Sequence, residues 1–142
     1  MSYEAGAGGY EVSTDKARLD VDVIHRWLSE ESYWAQGRAR ETVERSIAHS
    51  LCFGVHRGAE MAGFARVVTD FATFAWLCDV FVLPGHRGRG LGKLIVEAVV
   101  GHPDLRGLRR IVLATKDAHE LYRRHGGFVE LPMPERWMAR TV

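Results

Sequence analysis

Apolar residues recur along the chain in two periods, and the switches between them outline the elements. Val23, Ile24, Trp27 and Leu28 fall at helical spacing, with Asp20 or Asp22 as the cap. A polar loop rich in aromatics follows, from Ser29 to Gly37. Val43 and Ile47 place a second helix over Glu41 to Ser50. Leu51 to His56 and Met61 to Thr69 read as strands joined by a turn at Arg57 to Glu60. Asp70, Phe71 and Ala72 turn the chain again. Thr73 to Leu83 is almost wholly apolar, broken only by Asp79, and such a run predicts a strand buried on both faces.

Pro84 stops that strand. Leu91, Leu94, Ile95, Ala98 and Val99 then mark an amphipathic helix that ends at Gly101, His102 and Pro103. Ile111 to Ala114 predicts a buried strand. Asp117 and Glu120 form the pattern of a capping box for a helix carrying Ala118, Leu121 and Tyr122 inward, closed by Gly126 and Gly127. Phe128 to Leu131 and Trp137 to Arg140 supply candidate final strands, and Tyr10 to Thr14 a candidate edge strand. Residues 1–9 are Gly-rich and are expected to be disordered, leaving one domain over 10–142. Helices, antiparallel strands and then alternating strands and helices predict an α/β (α+β) fold, a mixed, mostly antiparallel sheet covered by helices.

Composition narrows the classes. A chain of 142 residues with 46% hydrophobic and 26% charged residues has the make-up of one globular domain. The formal charge of +1 recommends neither nucleic acid nor an anionic membrane as partner. No apolar run reaches membrane-span length, and the N-terminus lacks a secretory pattern, so the expected location is cytoplasmic. Cys52 and Cys78 sit in apolar strands with no base beside them in sequence, which favours inert burial. No His or Cys pair has metal-ligand spacing, so no metal is expected.

The chemistry concentrates after Pro84. Gly88, Gly90 and Gly92 permit close backbone approach to a ligand. They lead into a helix N-terminus, where unpaired amides attract anions, and Arg87, Arg89 and Lys93 add charge. The stretch is a phosphate cradle by these features. It is not a P-loop, which needs Gly where Arg87 stands and Ser or Thr where Leu94 stands. It is not a dinucleotide fingerprint either, which needs Gly where Lys93 stands.

Arg87-Gly88-Arg89-Gly90-Leu91-Gly92 does resemble the Arg/Gln-x-x-Gly-x-Gly/Ala pyrophosphate signature of the GNAT (N-acetyltransferase) superfamily. Tyr122 to Phe128 resembles that family's second signature, with Gly126-Gly127 in place of a single Gly. The resemblance runs from the first helix to the last strand. It implies acetyl-CoA as cosubstrate, bound in an opening between two splayed strands. The pantetheine arm would meet main-chain groups around Val80, Phe81 and Val82, and the pyrophosphate the amides of Arg87 through Gly92, with Lys93 beside them. Tyr122 would be the general acid for the leaving thiolate, and a phenol is a neutral donor at pH 7. The implied reaction is direct attack of a primary amine, of a small molecule or a protein, on the thioester, in a monomer or homodimer.

For Asp79 two readings stand: an acid that binds or deprotonates the amine, and a hydrogen-bonded structural carboxylate. Tyr33, Trp34 and Trp76 are candidates for an acceptor pocket or for the core. A catalytically idle acyl-CoA-binding module is the competing function, since it would keep the loop without needing Tyr122.

Overall fold

The computed structural model describes residues 8–142 and the backbone of residues 2–4. Six strands form one sheet in chain order: β1 (Ser2–Glu4), β2 (Tyr10–Ser13), β3 (Leu51–Arg57), β4 (Glu60–Thr69), β5 (Phe74–Val82) and β6 (Arg110–Val112). Neighbours run antiparallel except β5 and β6, which are parallel. A parallel pair needs a crossover, and α3 (Leu91–Val100) supplies it. The other helices are α1 (Val21–Arg26), α2 (Arg40–Ala48) and α4 (His119–Gly126). The mixed sheet flanked by helices is the predicted fold class.

The sheet divides the interior in two. On one face Leu91, Leu94, Ile95, Val96 and Val99 of α3 pack against Val55, Ala65, Val67 and Leu77, with Tyr122 of α4 in the same cluster. On the other, Ile24, Leu28, Val43 and Ile47 of the first two helices cover Met61, Phe64 and Phe81. Both predicted amphipathic faces therefore point inward.

Several boundaries differ from the pattern. Asp20 caps α1 by accepting from the Val23 amide, but the helix continues through a π-helical turn over Trp27–Glu31 where a loop was expected. β2 is an interior strand, because β1 pairs along its other side. Residues 1 and 5–7 of the Gly-rich start lie outside the described residues. β5 is not buried on both faces: Ala75, Leu77, Asp79 and Phe81 are buried, while Phe74 and Trp76 are exposed. No capping box opens α4; instead Thr115 Oγ1 accepts from the Ala118 amide. Residues 128–142 form no strand, only a short 3-10 turn over Pro134–Arg136. Trp137 nonetheless returns to stack on Phe74 and lie under Arg110. Aromatic residues alone thus mimicked a strand pattern there.

The double glycine after Tyr122 has a packing reason. A Cβ on Gly126 would stand 2.7 Å from Val96 Cγ1 and from the Phe128 ring, so the site needs glycine for α4 to reach α3. Gly127 takes the left-handed conformation, φ 70°, that closes the helix. Phe128 then packs edge-on against Tyr122, ring centroids 5.9 Å apart.

Candidate active site

β5 and β6 pair only over Phe74 to Trp76 and Arg110 to Val112. Beyond Trp76, β5 runs on to Val82 without β6, so the two strands open into a V. At this point β5 also bulges: Cys78 pairs with Arg66 and Phe81 with Phe64, leaving two β5 residues, Asp79 and Val80, opposite one on β4. Asp79 adopts φ 51°, which is uncommon for any residue but glycine and is tolerated by Asp better than by most. Of the main-chain groups around Val80, Phe81 and Val82, the Val82 carbonyl already accepts from Arg87 Nε at 3.1 Å. The Phe81 side chain turns inward, stacked on Trp27 with centroids 4.4 Å apart.

The glycine loop has the geometry its sequence predicts. Gly88 and Gly90 both lie at left-handed φ, 78° and 77°, and Gly90 is the N-cap of α3. Apart from the adjoining residues, no atom lies within 4 Å of where their Cβ atoms would be, so this side of the loop is open to a ligand. Arg87, Arg89 and Lys93 are exposed around it. Leu91 is buried and anchors the first turn of α3, and a Cβ on Gly92 would stand 3.3 Å from the Leu121 side chain of α4, a tight contact that glycine avoids. The described residues thus fit a pyrophosphate: open amides at the start of a ten-residue helix, with three cations beside them.

A second anchoring chain holds this loop to the sheet. Arg89 Nη1 donates to the Tyr10 hydroxyl at 3.2 Å, and that hydroxyl bonds to His86 Nδ1 at 2.7 Å. His86 Nε2 lies 2.6 Å from Glu60 Oε1. The chain is satisfied when Tyr10 donates to Nδ1 and Nε2–H donates to the carboxylate. Nothing in the local sequence pairs positions 10, 60, 86 and 89.

Tyr122 is buried, 8% exposed, and lines a cavity of about 860 Å³ between β6, α4 and the segment that follows it. Burial, helped by the nearby Tyr33 and Asp117, pushes its phenol up to about 12. The phenol therefore stays protonated across the neutral range, as a donor must. His119 and Arg123 of α4 share the cavity wall; the glycine loop does not.

The loop after α1 spans the mouth of the V. Tyr33 Oη accepts from the Lys116 amide just past β6, at 2.9 Å, and Tyr33 packs edge-on against Trp34. Trp34 Nε1 donates to Asp79 Oδ1 at 2.7 Å. The other oxygen, Oδ2, accepts from Arg66 Nε at 2.8 Å and Arg38 Nη1 at 2.9 Å. Asp79 is only 4% exposed. Burial raises its pKa, but the bonds from Arg66 and Trp34 and the two guanidinium charges outweigh this, and the carboxyl lies below its usual range. Such a carboxylate is a poor proton acceptor, so the structural reading of Asp79 fits its surroundings better than the basic one. Cys78 and Cys52 are pushed to about 12 and about 11 by burial and hold no thiolate at neutral pH. Trp34, Tyr33 and Trp76 are not core: each is more than a third exposed.

Arg38 and Arg66 escaped the sequence reading. Arg66 had a signal: one charge in the apolar run of β4, facing one charge in the apolar run of β5. Arg38 lies in a loop and had none.

The comparisons agree with this geometry. The sequence model of the acetyltransferase (GNAT) family matches residues 21–128. A Gibberella zeae protein, FG08082, an acetyltransferase by name, is 34% identical over 84% of this chain and 79% of its own length. A crystal structure of a GNAT-family protein from Xanthomonas campestris pv. campestris is 51% identical, covers 96% of both chains and superposes with a TM-score of 0.92. A Clostridium acetobutylicum structure solved with acetyl-CoA shares the fold, at a TM-score of 0.66 and 14% identity over 99% of this chain and 96% of that one. With its splayed strands, open glycine cradle and a family match spanning both, this chain belongs to the GNAT family of acetyltransferases and is an acyltransferase that uses acetyl-CoA.

Proposed function

We propose that the protein moves the acetyl group of acetyl-CoA to an amine, with Tyr122 as the general acid. The observation that carries this reading is the Tyr122 phenol: buried, held protonated, and carried on α4, which packs against α3, the helix that the glycine loop opens. Arg87 through Gly92 and Lys93 hold the pyrophosphate, and the unpaired edge of β5 around Val80 and Phe81 faces the pantetheine arm. Acetyl-CoA supplies an activated acyl carbon.

The free-base amine forms the new N–C bond to that carbon as the C–S bond breaks. Tyr122 passes its proton to the departing sulfur. The proton shed by the nitrogen returns to the phenol through solvent, so that amine and thioester become amide and thiol. Asp79 takes no proton in this scheme; it fixes Trp34, Arg38 and Arg66 around the acceptor side.

The test is a panel of primary amines with a free-thiol readout for released CoA, confirmed by mass spectrometry of the acetylated product. The Tyr122→Phe variant should bind acetyl-CoA normally and turn over roughly 10- to 1000-fold more slowly. Tight acetyl-CoA binding without thiol release on any amine would instead identify an idle acyl-CoA-binding module.

A further inference from the structure

Two guanidiniums meet one carboxylate on the acceptor side of the V. Arg38 and Arg66 both donate to the same oxygen of Asp79, so the cluster carries a formal charge of +2 − 1 = +1. Arg66 is enclosed and spends a further donor on Ser50 Oγ at 3.0 Å. Arg38 differs. Its side chain is 23% exposed, and its Nε and Nη2 have no hydrogen-bond partner among the described residues. A guanidinium fork with one edge pinned and one edge open is suited to bidentate contact with an anion. A plain ammonium would meet like charge here.

The neighbouring surface is apolar. Val68 and Trp76 pair across β4 and β5, two positions along from the Arg66–Cys78 pair, so side-chain alternation puts them on the same face. Trp76 is 43% exposed and Val68 38%. This face therefore offers a fixed positive fork beside an aromatic shelf, at the point where β5 leaves β6.

We infer that the acceptor is a small amine that also carries a carboxylate, with Arg38 binding that carboxylate through its free edge and Trp76 flanking the apolar part. This rests on the amine-acetylation reading above and narrows it to a substrate class. The same field favours the free-base form of an amine placed beside it, because a nearby positive charge disfavours the ammonium. Arg38 is then a specificity residue that acts on binding, and Asp79 keeps it in place.

The experiment uses matched pairs that differ only in the carboxylate: L-phenylalanine against 2-phenylethylamine, and L-methionine against 3-(methylthio)propylamine. Wild-type protein should give kcat/KM at least about tenfold higher for the carboxylate member of each pair. Arg38→Met should raise KM for the carboxylate members by about tenfold or more, and at least about fivefold more than it changes KM for the decarboxylated amines; Asp79 keeps Arg66 and Trp34 in that variant. Arg38→Lys, which retains the charge but not the fork, should fall between. A purely structural role for Arg38 would instead lower both members of a pair together.

A second readout avoids turnover. Tryptophan fluorescence, reporting Trp34 and Trp76 at the site, should respond to N-acetylphenylalanine at lower concentration than to N-phenethylacetamide, and Arg38→Met should erase the difference. Equal or better use of the decarboxylated amines by wild type, or equal losses for both classes in Arg38→Met, overturns the inference while leaving amine acetylation intact. Thiol release on no amine at all overturns amine acetylation and this inference with it.

Discussion

The two halves of the proposed site are built from different materials. The cofactor half is main chain: two glycines at left-handed φ and the first amides of α3, in one continuous stretch. The acceptor half is side chain: Trp34, Arg38, Arg66 and Asp79, drawn from a loop and two strands and tied through one carboxylate. A main-chain cradle suits a ligand group that is always the same. A side-chain cluster can be altered one residue at a time, which suits a half that decides among acceptors. The cost is that the cluster depends on one buried charge.

That dependence gives the largest expected effect. Asp79→Asn keeps the shape and tolerates the unusual backbone angle, yet leaves two guanidiniums without their anion. Losing one partner of a buried ion pair is strongly destabilising, so urea denaturation should show a loss of about 3 kcal/mol. If Asp79 were only a catalytic base, the Asn variant would lose kcat and keep its stability. The pH dependence has a matching sign. The folded pKa is depressed, so the stability from Asp79 is present above its unfolded value of about 3.9 and is lost as pH falls through the folded value. Asp79 therefore imposes no limb on activity between about pH 6 and 9. Over that range the rate should rise with pH as more acceptor becomes free base, and the Tyr122 phenol, pushed up to about 12, should impose no alkaline fall.

Tyr122→Phe comes next, a drop in kcat of roughly 10- to 1000-fold with acetyl-CoA affinity unchanged in calorimetry. Together the two variants separate the halves: one loses stability through the acceptor cluster, the other loses chemistry alone.

The same contrast explains what was legible in the sequence. Helices α1, α2 and α3 follow from the helical spacing of their apolar residues, and strands β3 to β5 from apolar runs between turns, because these residues are the ones buried. The glycine cradle is legible because six adjacent residues carry it. The acceptor cluster is not, since positions 34, 38, 66 and 79 meet only through the sheet pairing and a bulge that shifts the register by one. Asp79 stood out as a charge in an apolar strand, but its role depended on partners that no local pattern shows. The final strands read at Phe128 to Leu131 and Trp137 to Arg140 failed for the opposite reason. Apolar and aromatic residues there pack on β6, α4 and Phe74 from irregular backbone.

On the cofactor side, Gly90→Val puts a β-branched residue at φ 77°, at a cost of about 1–2 kcal/mol, and fills space now open above the loop. Acetyl-CoA binding should weaken at least tenfold by calorimetry, and the melting temperature should no longer rise as acetyl-CoA is added. Unchanged binding would move the pyrophosphate away from this loop.

The smallest effect tests whether the cradle, though made of main chain, leans on side chains at all. Tyr10 is buried in β2 and its hydroxyl joins Arg89 to His86, on either side of Arg87 and Gly88. Tyr10→Phe keeps the ring under Arg57 and deletes only that junction. Two hydrogen bonds are lost, and the one from Arg89, which ties the glycine loop to β2, is worth about 1 kcal/mol, so acetyl-CoA affinity should fall by about fivefold. Acceptor KM should stay where it was, because the acceptor cluster shares no bond with Tyr10. Hydrogen exchange would localise the change: amides of residues 86–90 should exchange faster in the variant, and those flanking Asp79 should not. An unchanged affinity would mean that the glycines and α3 hold the loop without help, and the division between a main-chain half and a side-chain half would then be complete.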